Sequence, residues 1–239
     1  MKTEGRNAVY ELLKTDKTVE KIMLEKNAQG SLGRLFAEAR KKGIRVQFVD
    51  KKVLDKESVT GHHQGVIAIT TDFKYSSLDD IIAARGEKSG FVILCDGIED
   101  VHNLGSVIRV AECTGADGVV IPSTNSASVT EAVVRISAGA ANHVKVAKVN
   151  SLNRAVEELK KAGYWLYALE ADGQSIYSAD LSGNVAIVVG GEDSGVRHLT
   201  REKCDFVVSL PMCGKVNSLN ASVALGVAAY EVLKKRMEK

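Results

Sequence analysis

VAIVVGGEDSGV at residues 185–196 and FVVSLPMCGKVNSLNASVALG at residues 206–226 each open on an apolar, β-branched run and then break into Gly, Pro, Ser and Asn. The runs 185–189 and 206–208 read as buried strands. At each exit the small and amide residues bring main-chain N–H and C=O groups within reach of a ligand, while Leu210, Met212 and Leu219 supply apolar walls. Either block alone also fits an ordinary strand-to-helix turn. Together they suggest a pocket that holds a polar cofactor by its main chain.

The same rhythm extends upstream. Strands are expected at 91–95, 119–121, 143–147 and 165–170, and helices at 104–113, 130–137, 152–162, 198–203 and 219–235. Strands that alternate with helices and read as continuous apolar runs indicate an α/β domain, with a mainly parallel sheet covered on both faces. Ligands of such sheets sit beyond the carboxyl ends of the strands. The polar residues after Cys95, Val189 and Leu210 therefore share one edge.

Residues 1–73 read as a second, smaller α/β unit ending near Asp72, with helices at 7–13, 31–43 and 51–57 and strands at 21–24, 44–49 and 65–70. In SLGRLFAEARKKG (31–43), Ser31 is a candidate N-cap, Leu32, Leu35, Phe36 and Ala39 form an apolar face, and Gly43 marks the stop. Residues 74–89 read as a linker carrying a short helix over 77–84, and residues 90–239 as the larger domain. Residues 1–74 hold 15 Lys/Arg against 10 Asp/Glu, whereas the remainder holds 17 against 20. That asymmetry suits a small basic domain meeting a polyanion, or simply a Lys-rich solvated surface. Adjacent His62 and His63 point to opposite faces of extended chain, which argues against a shared metal and for a turn facing RNA or solvent.

With 45% hydrophobic and 26% charged residues, the composition is that of a globular protein. No apolar run approaches the ~18–20 residues that span a bilayer. The opening residues are too polar for a secretory signal, so a cytoplasmic location is expected. Cys95, Cys113, Cys204 and Cys213 are scattered, without metal-ligand spacing or a disulfide framework. No dinucleotide fingerprint, P-loop or nucleophile elbow is present. A loop rich in backbone donors, an arginine, several amides and an acid remain. Such groups orient and polarise, which suits transfer from an already activated cofactor.

The arginine stands in DGIEDVHNLGSVIRVAE, residues 96–112. Asn103 fits the helix start, and Arg109 follows about one and a half turns later. An arginine at a strand-edge cleft suits phosphate or oxyanion contact; a surface arginine paired with Glu112 at i,i+3 is the other reading.

Three motifs in this order, NLGSVIRVAE (103–112), VGGEDSG (189–195) and LPMCGKVNSLNAS (210–222), resemble those of the SpoU (TrmH) family of RNA 2′-O-ribose methyltransferases, most closely its RlmB-type branch that acts on a guanosine of large-subunit ribosomal RNA. GRNAV (5–9) and HQGV (63–66) resemble the RNA substrate-binding domain that precedes the enzyme in that branch. The resemblance covers essentially the full chain. It implies a trefoil-knotted methyltransferase domain, S-adenosylmethionine as cofactor and a homodimer. It also implies cofactor contacts from Gly190, Gly191, Leu210, Met212 and Leu219, and a polar set around the ribose of Asn103, Arg109, Glu192, Ser218 and Asn220. No metal and no membrane enter the expectation. Val110, Leu210 and Ala221 depart conservatively from the family pattern. tRNA-specific relatives usually lack the amino-terminal domain, which makes tRNA the second choice of substrate. A non-catalytic RNA-binding assembly factor is the alternative from another class.

A ribose 2′-hydroxyl is a poor nucleophile, whereas a sulfonium methyl is already electrophilic, so alignment should carry much of the rate. The resemblance implies a proton-accepting task for Arg109, but a guanidinium stays protonated at ordinary pH, so a literal base needs a very unusual environment. The expected roles are therefore Arg109 polarising the hydroxyl and adjacent phosphate, Asn103 and Asn220 orienting, and Ser218 assisting. Glu192 is expected to hold Arg109 or the loop. The apolar stripe Leu219, Val223, Val227, Tyr230 and Leu233 is ordinarily core-facing, and by the resemblance its helix contributes to the dimer.

Overall fold

The computed structural model describes the chain except residues 16, 27–29, 72, 193 and 239. It forms two compact units, Met1–Lys74 and Tyr75–Lys239.

The first unit is a four-stranded mixed sheet of β1 (Lys2–Glu4), β2 (Thr18–Glu25), β3 (Arg45–Val49) and β4 (Val66–Thr71), in the order β1-β4-β2-β3. Alternation along the strands builds two cores. Ile22, Leu24, Val66 and Ala68 pack with α1 (Arg6–Leu12) and α2 (Ser31–Lys41), while Met23 and Ile67 face Leu54 of α3 (Lys51–Glu57). The three-residue strand β1 lies outside the expected elements. It is polar and half-exposed, and its pairing with β4 forms an edge that no apolar signal announces. Helix α2 starts at Ser31, with Gly30 at the cap position; the Ser31 side chain and Asp72 lie outside the described residues.

The second unit is built on six strands that all run parallel: β5 (Phe91–Asp96), β6 (Gly118–Pro122), β7 (Lys145–Val149), β8 (Trp165–Ser175), β9 (Val185–Gly190) and β10 (Phe206–Ser209). Their order is β10-β8-β9-β5-β6-β7. The helices are α4 (Leu78–Ala84), α5 (Val101–Cys113), α6 (Glu131–Ile136), α7 (Leu152–Lys161), α8 (His198–Lys203) and α9 (Ala221–Met237). Helices α4 and α7 bury Ile81, Val156 and Leu159 against Val92, Leu94, Leu166 and Val188 on one sheet face. Helices α5 and α9 pack against each other, and α9 also packs on β9.

Two expectations change here. The short helix expected within the linker is present as α4, started by a Ser77–Asp80 capping box, but its Leu78 and Ile81 are buried in the core of the second unit. The buried face of α9 is Leu225, Ala228, Ala229 and Val232, whereas Val223, Val227 and Tyr230 are 51%, 38% and 54% exposed. These three residues of the expected stripe face outward because Leu225 and Val232, with two alanines between them, take the buried positions, while Leu219 precedes the helix. Among the described residues, no helix is long and apolar enough to cross a membrane.

Candidate functional site

The exits of β8, β9 and β10 enclose a cavity of about 200 Å³. It forms because β8 leaves its ladder with β10: Val207 pairs with Ala168 but Val208 pairs with Gln174, so residues 169–173 stand clear of that ladder. Leu169, Glu170 and Ala171 from this excursion line the cavity. Opposite them stand Gly190, Gly191, Leu210, Met212 and Leu219, the five residues expected to meet a cofactor. Ser218 and Asn217 complete the wall.

The loop after β9 is fixed by its own main chain. Gly191 N–H donates to Asp96 C=O at 3.1 Å, and Gly195 N–H to Gly191 C=O at 2.9 Å. Gly190 has room for nothing larger, because a Cβ there would overlap the Gly195 backbone. Gly195 has φ +61°, and a Cβ there would meet Glu170 Oε1 at 2.6 Å. Glu170 in turn accepts the Val196 N–H. The Asp193 of this motif lies outside the described residues.

At the mouth of the cavity three polar side chains converge from distant parts of the chain. Asn103 Nδ2 donates to Glu192 Oε1 at 3.0 Å, and Asn220 Nδ2 donates to Asn103 Oδ1 at 2.9 Å and to Glu192 Oε1. Asn220 Oδ1 caps α9, accepting from Ser222 N at 3.0 Å and Val223 N at 3.3 Å. Asn103 is not itself a cap. Asp100 starts α5, accepting from the His102 and Asn103 N–H groups at 2.8 and 2.9 Å, which frees the Asn103 amide for the cluster.

Arg109 does not join this cluster within the chain. Six residues beyond Asn103 on α5, it lies roughly 9 Å along the axis and about 120° away around it. It is exposed and makes no hydrogen bond or ion pair among the described residues, so neither the Glu112 nor the Glu192 pairing is formed. Glu192 is held by two amides instead. Burial and neighbouring Asp96 push the Cys95 thiol up to about 12, which makes it inert as a nucleophile. No group of three His, Cys, Asp or Glu suitable for a metal occurs among the described residues.

The cavity suits S-adenosylmethionine. Leu169, Leu210, Met212 and Leu219 offer apolar walls, the 190–195 turn offers main-chain groups, and the carboxylates Glu170 and Glu192 suit a cationic ligand. Residues Leu169, Glu170, Ala171 and Asn217 were not expected from the sequence. The first three sit inside what reads as an uninterrupted strand, and only the acid breaking the apolar run at Glu170 signals them.

In the first unit, GRNAV and HQGV abut. Arg6 N and Nε donate to Gln64 Oε1 and Gln64 O at 3.1 and 3.0 Å, and Gly5 N donates to Val66 O at 3.3 Å. His62 is exposed, but His63 is 5% exposed. Its Nδ1 accepts the Gly65 N–H at 3.0 Å and its Nε2 lies 2.9 Å from Asp55 Oδ1, so His63 holds the turn rather than facing outward.

The family described as SpoU rRNA Methylase matches residues 90–230, and the one described as RNA 2′-O ribose methyltransferase substrate binding matches residues 3–76. A Bacillus subtilis protein, YacO, assigned to the TrmH family of tRNA/rRNA methyltransferases, is 43% identical over 97% of this chain and 94% of its own length. Among solved structures, the SpoU methyltransferase AviRb of Streptomyces viridochromogenes in complex with AdoMet aligns with a TM-score of 0.64 at 22% identity, over 100% of this chain and 91% of that one. An AdoMet-bound rRNA methyltransferase of Sinorhizobium meliloti aligns with a TM-score of 0.61 at 22% identity, over 98% and 86%.

Proposed function

The chain belongs to the SpoU family of RNA methyltransferases, and on that premise we propose that it transfers a methyl group from S-adenosylmethionine to a ribose 2′-hydroxyl of RNA. The observation that carries this reading is the position of Glu192. It lines the apolar cavity and is also the acceptor on which Asn103 and Asn220 converge. Donor pocket and polar cluster thus share a wall, as a transfer reaction requires. When bound, the donor supplies an electrophilic methyl group. The protein supplies alignment and hydrogen bonds.

In this reading Gly190, Gly191, Leu210, Met212 and Leu219 hold the donor. Asn103 and Asn220 orient the ribose, with Ser218 beside them. Glu192 fixes both amides. Arg109, exposed and without a hydrogen bond or ion pair among the described residues, polarises the hydroxyl and an adjacent phosphate once RNA is in place. Residues 1–73 grip the RNA, and residues 90–239 carry out the transfer. The exposed Val223, Val227 and Tyr230 support a homodimer with active sites near its interface. The return of α9 from edge strand β10 to pack on β9 and α5 supports the trefoil knot that the resemblance carries.

Among RNAs, a guanosine of large-subunit ribosomal RNA is the preferred substrate. The amino-terminal substrate-binding match supports ribosomal RNA over tRNA, because tRNA-specific relatives usually lack that domain. The guanosine follows from the RlmB-type resemblance. The test is calorimetry with S-adenosylmethionine, followed by transfer of a labelled methyl group to RNA from cells lacking the gene. Binding and label on a ribose are expected. Failure to bind the donor, or label confined to bases, overturns the reading.

A further inference from the structure

A second cleft, of about 340 Å³, opens on the same carboxyl edge of the parallel sheet, beyond the ends of β6 and β7. Thr124 follows β6, Asn150 follows β7, Ser151 and Asn153 belong to the start of α7, and Arg197 and His198 to the start of α8. Nothing in the donor cavity or in the Asn103 cluster uses these residues.

Arg197 gives the cleft its character. Its main-chain N–H donates to Asp96 Oδ2 at 3.0 Å, and its Nε and Nη2 meet Asp96 Oδ1. Asp96 is fully buried at the end of β5, so the guanidinium is locked in orientation and its charge is matched from behind. Nearly half of the Arg197 side chain, 48%, remains exposed. Among the described residues no carboxylate lines the cleft; the imidazole of His198 is exposed, 3.5 Å from Glu202.

This is not the profile of a phosphate site, which would hold uncompensated cations. A fixed, neutralised guanidinium plane flanked by amides and hydroxyls suits a flat heterocycle. Arginine planes stack on unpaired bases, and Asn side chains hydrogen-bond base edges. The volume admits a nucleoside. The Asp96–Arg197 pair also places the cleft next to the site: Asp96 C=O accepts the N–H of Gly191, which lines the donor cavity.

We propose that this cleft receives an unstacked base of the substrate RNA strand, beside the ribose that is methylated. The proposal rests on the RNA methyltransferase reading and adds a recognition subsite to it. One base at this position contributes selectivity that the ribose-directed cluster, blind to base identity, does not provide.

The test uses the full chain and large-subunit ribosomal RNA transcribed in vitro, in about 200 mM salt to suppress non-specific phosphate binding. Thr124→Trp and Asn150→Trp, both at exposed positions, fill the cleft, and Asn150→Ala removes one edge contact. Filter binding should show RNA affinity weakened about tenfold or more by either tryptophan, the scale of one lost base contact. Asn150→Ala should weaken it less. Calorimetry should leave S-adenosylmethionine affinity within about twofold, which separates this proposal from the donor site. RNA affinity unchanged in all three variants overturns the proposal, as does loss of donor affinity with RNA binding intact. Failure of the wild-type chain to bind the donor would instead strike the function, and the RNA measurement would still decide the cleft.

Discussion

Asn103 and Glu192, 89 residues apart in sequence, are joined by a 3.0 Å hydrogen bond that ties the start of α5 to the loop after β9. Hydrogen bonds to a charged partner are worth about 1.5–3 kcal/mol. Asn103→Ala should therefore slow methyl transfer roughly 10- to 100-fold, while S-adenosylmethionine binding by calorimetry stays close to wild type. Turnover at the wild-type rate would remove Asn103 from the reaction.

Arg109 is exposed and makes no hydrogen bond or ion pair among the described residues. Arg109→Ala should abolish transfer while thermal unfolding and donor affinity are preserved. Single-turnover assays with saturating RNA give the measurement, and near wild-type transfer would refute the assignment.

The outward stripe on α9 carries a prediction about assembly. Val227→Glu places a charge in the middle of Val223, Val227 and Tyr230 without touching the buried face. Sedimentation should show a dimer for the wild type at micromolar concentration and a monomer for the variant. A wild-type monomer would dismiss the dimer.

In the first unit, Glu4 accepts from the hydroxyls of Ser58 and Thr60 and from the Val59 N–H, which lowers its pKa from 4.5 to about 2. A depressed carboxylate binds fewer protons folded than unfolded. Its contribution is therefore fully present above pH 4.5 and fades as pH falls toward 2. Glu4→Gln should lower the melting temperature at neutral pH, and the gap to wild type should close across that acid window. A gap that is independent of pH would contradict the linkage.

The sequence makes the parallel strands plain because both faces are buried. Phe91 to Asp96 are all buried, and a run that stays apolar until its last residue fits a strand covered on both sides. It hides what depends on partners. β1 is polar and needs β4 to exist. Val223, Val227 and Tyr230 of α9 suggest a core face, yet Leu225, Ala228, Ala229 and Val232 occupy the core. Asn103 reads as a cap, although Asp100, three residues earlier, performs that task. The cavity wall at Leu169–Ala171 needs a register shift between β8 and β10, which no local pattern encodes. Of the polar set, Asn103, Glu192 and Asn220 meet and Ser218 stands on the adjoining wall, while Arg109 stands apart.

Asn220 serves two masters. Its carbonyl oxygen begins a helix, a task that Asp performs as well, but its amide hydrogens are donors that a carboxylate does not offer toward Glu192. On the role proposed for Asn220, drift toward an equally good helix start would keep the architecture and silence the chemistry, so an inactive descendant of this protein could look intact in every respect but one side chain.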